Sequence, residues 1–273
     1  MRRNSHHATE EPRRQVFEVA AGVSRRGFVA GAGLLGMTFP LHSVMSTALA
    51  SDDALAGKDG LTLLNDLPLN AETPAHLLDD AITPTSRHFI RNNGLPPENV
   101  DAAGWTLAVD GLVDNPAVFS IDELRARFEV VTLALTIECG GNGRAFFDPP
   151  VGGEQWTMGA VGCAEWTGVR LADVLKTVGV KPGAVYTAHY SADTLLSGDE
   201  GKLPLSRGVP IAKAMTGNVL LAFAMNGGPL HRHNGAPLRL VVPGWPGACS
   251  QKWLRRVEVR DQVHDGPKMT GTS

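Results

Sequence analysis

The stretch that most constrains this chain is Leu135-Thr-Ile-Glu-Cys-Gly-Gly-Asn-Gly-Arg-Ala-Phe-Phe-Asp-Pro-Pro150. The apolar, β-branched run from Val130 to Ile137 reads as a strand, and it stops at a cysteine followed by a glycine-rich turn. This predicts Cys139 at the C-terminal end of a strand, on a loop whose backbone can approach a bound group closely. Arg144 lies five positions on, within reach of the same point. A thiol beside a cation and exposed backbone amides suits a thiolate, as nucleophile or as metal ligand. The same residues also fit a cysteine packed as a small hydrophobe before a simple turn. The loop alone does not separate the two.

The 273 residues leave room for a signal plus one large domain or two small ones. A net charge of −3 offers no basis for binding nucleic acid or an anionic membrane surface. The odd set Cys139, Cys163 and Cys249 argues against a disulfide framework. A Cys163–Cys249 bridge fits the count but has no other support. Near the N-terminus, Ser24-Arg-Arg-Gly-Phe-Val29 leads into a short apolar run, and Ala48-Leu-Ala50 offers small residues at a cleavage site. Residues 1–50 therefore read as a twin-arginine export signal, the type that carries proteins already folded around a cofactor. The run is too short and glycine-rich for a stable membrane span. The expected location is periplasmic.

In the remaining chain, residues 51–84 read as a surface strap with a short helix near Ala75. A mixed α+β domain is expected over residues 85–260. Residues 86–94 read as extended. Strands are expected at 105–111, 130–137, 184–190, 219–225, 238–242 and 253–259, with another starting near Phe119. Ser120 with Glu123 forms a capping-box pattern for a helix through Phe128. Trp166 to Leu171 is read as entering a second helix, over 171–178, that stops at Gly179. A short third helix is expected at 211–215. Polar clusters recur at strand ends: Arg91-Asn92-Asn93, then His231 to Asn234 with Arg239, then Ser250-Gln251-Lys252. Converging, they would cradle a phosphate or polar heterocycle. The His231/His233 pair lacks a third ligand for zinc and reads as exposed loop.

Five ordered motifs carry a resemblance. They are Phe89-Ile-Arg-Asn-Asn93, Glu138-Cys-Gly-Gly-Asn-Gly-Arg144, Ala164-Glu-Trp-Thr-Gly-Val169, Met225-Asn-Gly-Gly-Pro-Leu230 and Asn234-Gly-Ala-Pro-Leu-Arg-Leu-Val-Val-Pro-Gly244, followed by Lys252-Trp253. Together they resemble the sulfite oxidase family of molybdopterin enzymes, and the exported bacterial sulfite dehydrogenases in particular. The resemblance implies that Cys139 is the protein ligand of molybdenum, a soft thiolate suited to a redox metal already held by sulfur. It implies that Phe89, Ile90, Arg91, Asn92, Asn93, Asp193, Asn234, Arg239, Ser250, Gln251 and Lys252 bind molybdopterin. Arg144 then faces an oxyanion substrate.

The implied reaction is sulfite plus water giving sulfate, two protons and two electrons. No Cys-x-x-Cys-His haem motif occurs in the sequence. The electrons are therefore expected to pass to an external acceptor such as a c-type cytochrome. Asn234-Gly-Ala-Pro-Leu-Arg239 also resembles the periplasmic protein-methionine-sulfoxide reductases, and a third branch oxidises sulfur on a carrier protein as a sulfane dehydrogenase subunit. A non-catalytic cofactor-binding fragment is the remaining alternative. The resemblance further implies an active-site tyrosine and an immunoglobulin-like dimerisation domain beyond Ser273. Residues 261–273 are accordingly expected to begin the connection to that missing domain, with dimerisation weakened without it.

Overall fold

The computed structural model describes residues 55–269 apart from Asn99 and Glu200. The export signal expected over residues 1–50 lies outside the described residues. In chain order the elements begin with strands β1 (Thr62–Asp66), β2 (Leu69–Glu72), β3 (Ile90–Arg91), β4 (Thr106–Gly111) and β5 (Ala117–Ser120). Helix α1 (Ile121–Arg127), β6 (Val130–Glu138), β7 (Val161–Arg170) and α2 (Leu171–Val178) follow. The chain continues through β8 (Tyr186–Ser191), β9 (Arg207–Pro210), α3 (Ile211–Ala214), β10 (Leu220–Met225), β11 (Gly228–Pro229), β12 (Arg239–Val241) and β13 (Leu254–Arg260).

These strands form three sheets. β1, β2 and β3 make a small antiparallel one. The second runs β11-β10-β7-β6, with β12 also on β10. The third, β5-β4-β13-β8-β9, is mixed, because β13 runs parallel to β4 and antiparallel to β8. The α+β class with a mixed sheet is the architecture observed.

Strand β10 is covered on both faces. Leu221 and Leu240 join one core with Leu107, Leu124, Leu175 and Val257. Ala222 and Val241, one position along, join another with Phe89, Ile137, Trp156 and Trp166. β7 differs: Gly162, Ala164, Trp166 and Gly168 are buried, while Cys163, Glu165 and Thr167 between them are half-buried or exposed, the period-2 pattern of a strand rather than the expected approach to a helix over Trp166 to Leu171. Trp166 instead sits mid-strand opposite Leu133 on β6 and Met225 on β10. Gly168 is required there, since a Cβ would lie 2.2 Å from the Leu221 carbonyl oxygen.

Helix ends follow local chemistry. Ser120 Oγ accepts from Glu123 N (3.1 Å) while the Glu123 carboxylate accepts from Ser120 N (2.7 Å), closing the capping box. Helix α2 ends at Gly179, whose φ of 73° is left-handed. Trp253 also has a positive φ (49°), so the last strand begins at Leu254 rather than Trp253. All three cysteines are free, which removes the Cys163–Cys249 bridge.

The strap over 51–84 contains the β1–β2 hairpin, and β2 is buried along its whole length because it pairs with β3 and packs Leu69 and Ala71 on Ile90. Residues 261–269 pack beside β9, where Ser206 N donates to Pro267 O (3.1 Å) and His264 Nε2 pairs with Ser206 Oγ (2.8 Å). No helix among the described residues is long and apolar enough to cross a membrane.

Candidate active site

Cys139 leaves β6 half-buried, at the edge of a cavity of about 580 Å³. Its loop is fastened at several points. Cys139 N donates to Ala160 O (2.9 Å), Gly143 N to Thr157 O (2.6 Å) and Ala145 N to Trp156 O (3.0 Å). Asn142 adds its Oδ1 as acceptor for Ala160 N (3.0 Å). The segment that receives these bonds is itself held by the buried carboxylate of Glu72, which accepts from Thr157 N (2.9 Å), Thr157 Oγ1 (2.8 Å) and Gly159 N (3.3 Å). Gly141 N points at the sulfur, 3.5 Å away. Arg144 lines the same cavity, with Nη1 donating to Glu154 O (3.0 Å).

A second wall comes from β3. Arg91 donates to Asn70 Oδ1 (3.4 Å), Asn93 Oδ1 (3.0 Å) and the Asn92 carbonyl. Burial lowers its pKa, while the neighbouring Cys139 sulfur and Glu154 pull it back up. Arg91 and Arg144 thus line one cavity with the Cys139 sulfur.

The floor is built by β12 and the turn after it. Arg239 gives Nη1 to Asn234 O (2.6 Å) and Nη2 to Ser250 O (3.0 Å), and its guanidinium carbon lies 4.8 Å from the Trp166 ring centroid. Lys252 Nζ donates to His233 O (2.9 Å) and to Asn92 Oδ1. Gln251 Nε2 donates to Ser191 Oγ (2.7 Å), and Ser191 Oγ to the Asp193 carboxylate. Burial drags Arg239 down to about 9, and it drags Lys252 well below the usual lysine range with help from the Arg239 charge. Asp193 is pushed up by burial, against its hydrogen bond from Ser191.

Most of the expected residues converge. Phe89, Arg91, Asn93, Cys139, Arg144, Asp193, Asn234, Arg239, Ser250, Gln251 and Lys252 all line the cavity. Ile90 and Asn92 do not. On a two-residue strand whose sides alternate, Ile90 turns into the hairpin core, and Asn92 is buried behind the wall as a partner of Lys252. The His231/His233 pair stays together, with ring centroids 5.6 Å apart and His233 N donating to His231 Nδ1 (3.2 Å), but it is not all exposed loop: His231 bonds to Ala56 O (2.8 Å), whereas His233 is buried and lines the cavity. No group of three metal-capable side chains occurs among the described residues.

Several site residues were missed. His88, Arg207 and Lys268 also line the cavity. Lys58 lies behind it, donating to Thr85 O (2.7 Å), His88 O (2.9 Å) and Asn234 Oδ1 (2.5 Å). The one sequence signal was His88 itself, a polar residue directly before the Phe89 motif. Lys58 sits in a plain Gly-Lys-Asp-Gly turn.

Residues 93–268 match the oxidoreductase molybdopterin-binding domain family. The chain belongs to this family. It is 38% identical to the sulfite oxidase of Gallus gallus over 205 residues, 73% of this chain and 44% of that protein. It is 36% identical to the nitrate reductase [NAD(P)H] of Hordeum vulgare over 198 residues, 70% of this chain and 22% of that protein. The chain thus spans less than half the length of these curated relatives. Among solved structures, the sulfane dehydrogenase SoxCD of Paracoccus pantotrophus superposes with a TM-score of 0.64 at 29% identity, covering 85% of this chain and 57% of that one. The curated relatives it matches thus include both sulfite oxidases and nitrate reductases.

The residues present fit such a cofactor. The cavity lies within the usual range for a small-molecule site. It offers one soft sulfur ligand, a surplus of cations for an anionic group, and a buried Gln251 Oε1 without a partner in its wall. An acceptor of that kind suits a heterocyclic N–H.

Proposed function

We propose that this protein oxidises sulfite to sulfate with a molybdenum–molybdopterin cofactor and passes the electrons to an external acceptor. The observation that carries this reading is the pairing of Arg91 and Arg144 in one cavity with the Cys139 sulfur. Two guanidinium groups beside a soft ligand suit a small oxyanion, because planar forked donors match its oxygens. When bound, the cofactor supplies the two-electron redox change. The chain supplies the rest. Cys139 is the metal ligand. Asp193, Ser250, Gln251, Arg239 and Lys252, with Asn234 and the Phe89–Asn93 turn, hold the pterin and its phosphate. Arg144 and Arg91 attract the anion and stabilise charge on it as it reacts. A c-type cytochrome outside the cytoplasm is the proposed acceptor, following twin-arginine export.

The superposition on a sulfane dehydrogenase supports a second reading, oxidation of sulfur held on a carrier. The separating experiment measures molybdenum and pterin per chain, then turnover with sulfite and ferricyanide or cytochrome c. Protein methionine sulfoxide with a reductant is run in parallel. Turnover of sulfite that Cys139→Ser abolishes, along with the molybdenum, is the expected result. Loaded protein inert to sulfite would overturn the reading.

A further inference from the structure

The cavity is more positive than its own walls can neutralise. Arg91, Arg144, Arg207, Arg239, Lys252 and Lys268 line it against two carboxylates, Glu154 and Asp193. Among the described residues, none of these cations lies within 4.0 Å of a carboxylate oxygen. They differ in what their donors already hold. Arg239 and Lys252 spend theirs on floor carbonyls and Asn92, and Arg91 on the three asparagines around β3. Arg207 and Lys268 are nearly unengaged. Arg207 has one long bond, Nη1 to Met269 O (3.5 Å), and its Nε is buried without a partner. Lys268 Nζ reaches only Asn93 Oδ1, at 3.4 Å.

These two cations come from distant parts of the sequence, β9 and the 261–269 segment, and are brought together by the Ser206–His264 and Ser206–Pro267 contacts. Asn93 Oδ1 accepts from both Arg91 Nη2 and Lys268 Nζ, which places Lys268 on the Arg91 side of the cavity. Lys268 is lowered first by burial and then by the charges of Arg91 and Arg207, so the three guanidinium and ammonium groups feel one another. Like charges with unused donors in one cavity wall make a site for an anion with several oxygens.

We propose that Arg207 and Lys268 form an oxyanion subsite on the Arg91 side of the cavity, taking a sulfate-like dianion or a phosphate monoester. The assignment of the anion as substrate rests on the sulfite reading above; the cofactor's own phosphate is the other source of the same chemistry. The test uses the full chain with its cofactor and the variants Arg207→Met, Lys268→Met, Arg207→Lys and Lys268→Arg. Two quantities are read: molybdenum and pterin per chain, and the affinity for inorganic sulfate by titration calorimetry. Sulfate binding weakened about tenfold in the Met variants at full cofactor content, and recovered in the charge-keeping ones, assigns the subsite to substrate oxyanion. Cofactor content halved in the Met variants and recovered likewise assigns it to the phosphate. If neither quantity moves, the subsite does not exist. Lys268→Gln, at a partly exposed position, carries the test should Arg207→Met fail to fold. Sulfite turnover is scored separately. Sulfate binding that depends on these residues in a protein inert to sulfite keeps the subsite and discards the functional reading.

Discussion

Arg144 lies against Gly141 so closely that a Cβ on the glycine would sit 2.6 Å from Nη2 of the guanidinium. Gly153 restricts the other side, where a Cβ would lie 2.6 Å from Nη1. The arginine is therefore seated by the absence of two side chains, and its position in the cavity depends on both.

Gly141→Ala tests that seat. The added methyl meets the mobile end of a side chain, so the guanidinium moves and the fold persists. The expected result is a KM for sulfite raised about tenfold, the equivalent of about 1.4 kcal/mol, with molybdenum content unchanged. Arg144→Ala should give at least as large an effect. An unchanged KM in both would remove Arg144 from the substrate side of the cavity.

Glu72 governs the loop from behind. Replacing it by Ala leaves Thr157 N, Thr157 Oγ1 and Gly159 N without their shared acceptor in a buried place. The expected loss is about 3 kcal/mol of unfolding free energy, read by denaturant titration. Cofactor content should fall as well, because the same segment holds Cys139 N and Gly143 N through Ala160 and Thr157.

Lys58 ties the His88 backbone to Asn234. Burial, followed by the Arg239 charge, lowers it to about 7. Between about 7 and the ordinary lysine value of 10.5 the unfolded chain holds a proton that the native one has released, so this group makes stability rise with pH across that window. Lys58→Met should flatten the rise, as seen by chemical unfolding at pH 7 and pH 9.5. An identical pH slope in the variant would show that Lys58 keeps its proton in the fold.

What was legible in the sequence followed from local rules. The capping box at Ser120, the stop at Gly179 and the strand ending at Cys139 each need only neighbours in the chain, and the motifs around Arg91, Arg239 and Lys252 marked most of the cavity. What was missed depends on tertiary partners. The Trp166 to Leu171 stretch is an exception, misread although Glu165 and Thr167 alternate with the buried Ala164, Trp166 and Gly168, but the β1–β2 hairpin gains its burial from β3. Lys58, Glu72, Arg207 and Lys268 become site residues only when remote segments meet, as Lys58 meets Asn234 across 176 positions. Ile90 shows the reverse, a motif residue that strand alternation turns away from the cavity.

Acid should find the weak point of this fold in two buried histidines. His88 is packed between Phe89 and Trp166, and burial, then the Lys58 and Arg239 charges, press it down to about 3. His189, held by Thr187 Oγ1 at 2.9 Å, is likewise pressed to about 3 by burial and then by His264. Both are neutral in the native state at pH 5, whereas in the unfolded chain they take up protons below about 6.5. A depressed histidine contributes stability that is complete above the unfolded value and is lost as pH falls toward the folded one. Each should therefore add a slope of about 1.4 kcal/mol per pH unit between roughly pH 6 and pH 3. Denaturant unfolding at pH 7, 5.5 and 4.5 measures it. His189→Gln should remove one histidine's share of the slope even though the variant is less stable at pH 7. A slope that survives in both His88→Gln and His189→Gln would place the acid sensitivity in the carboxylates instead.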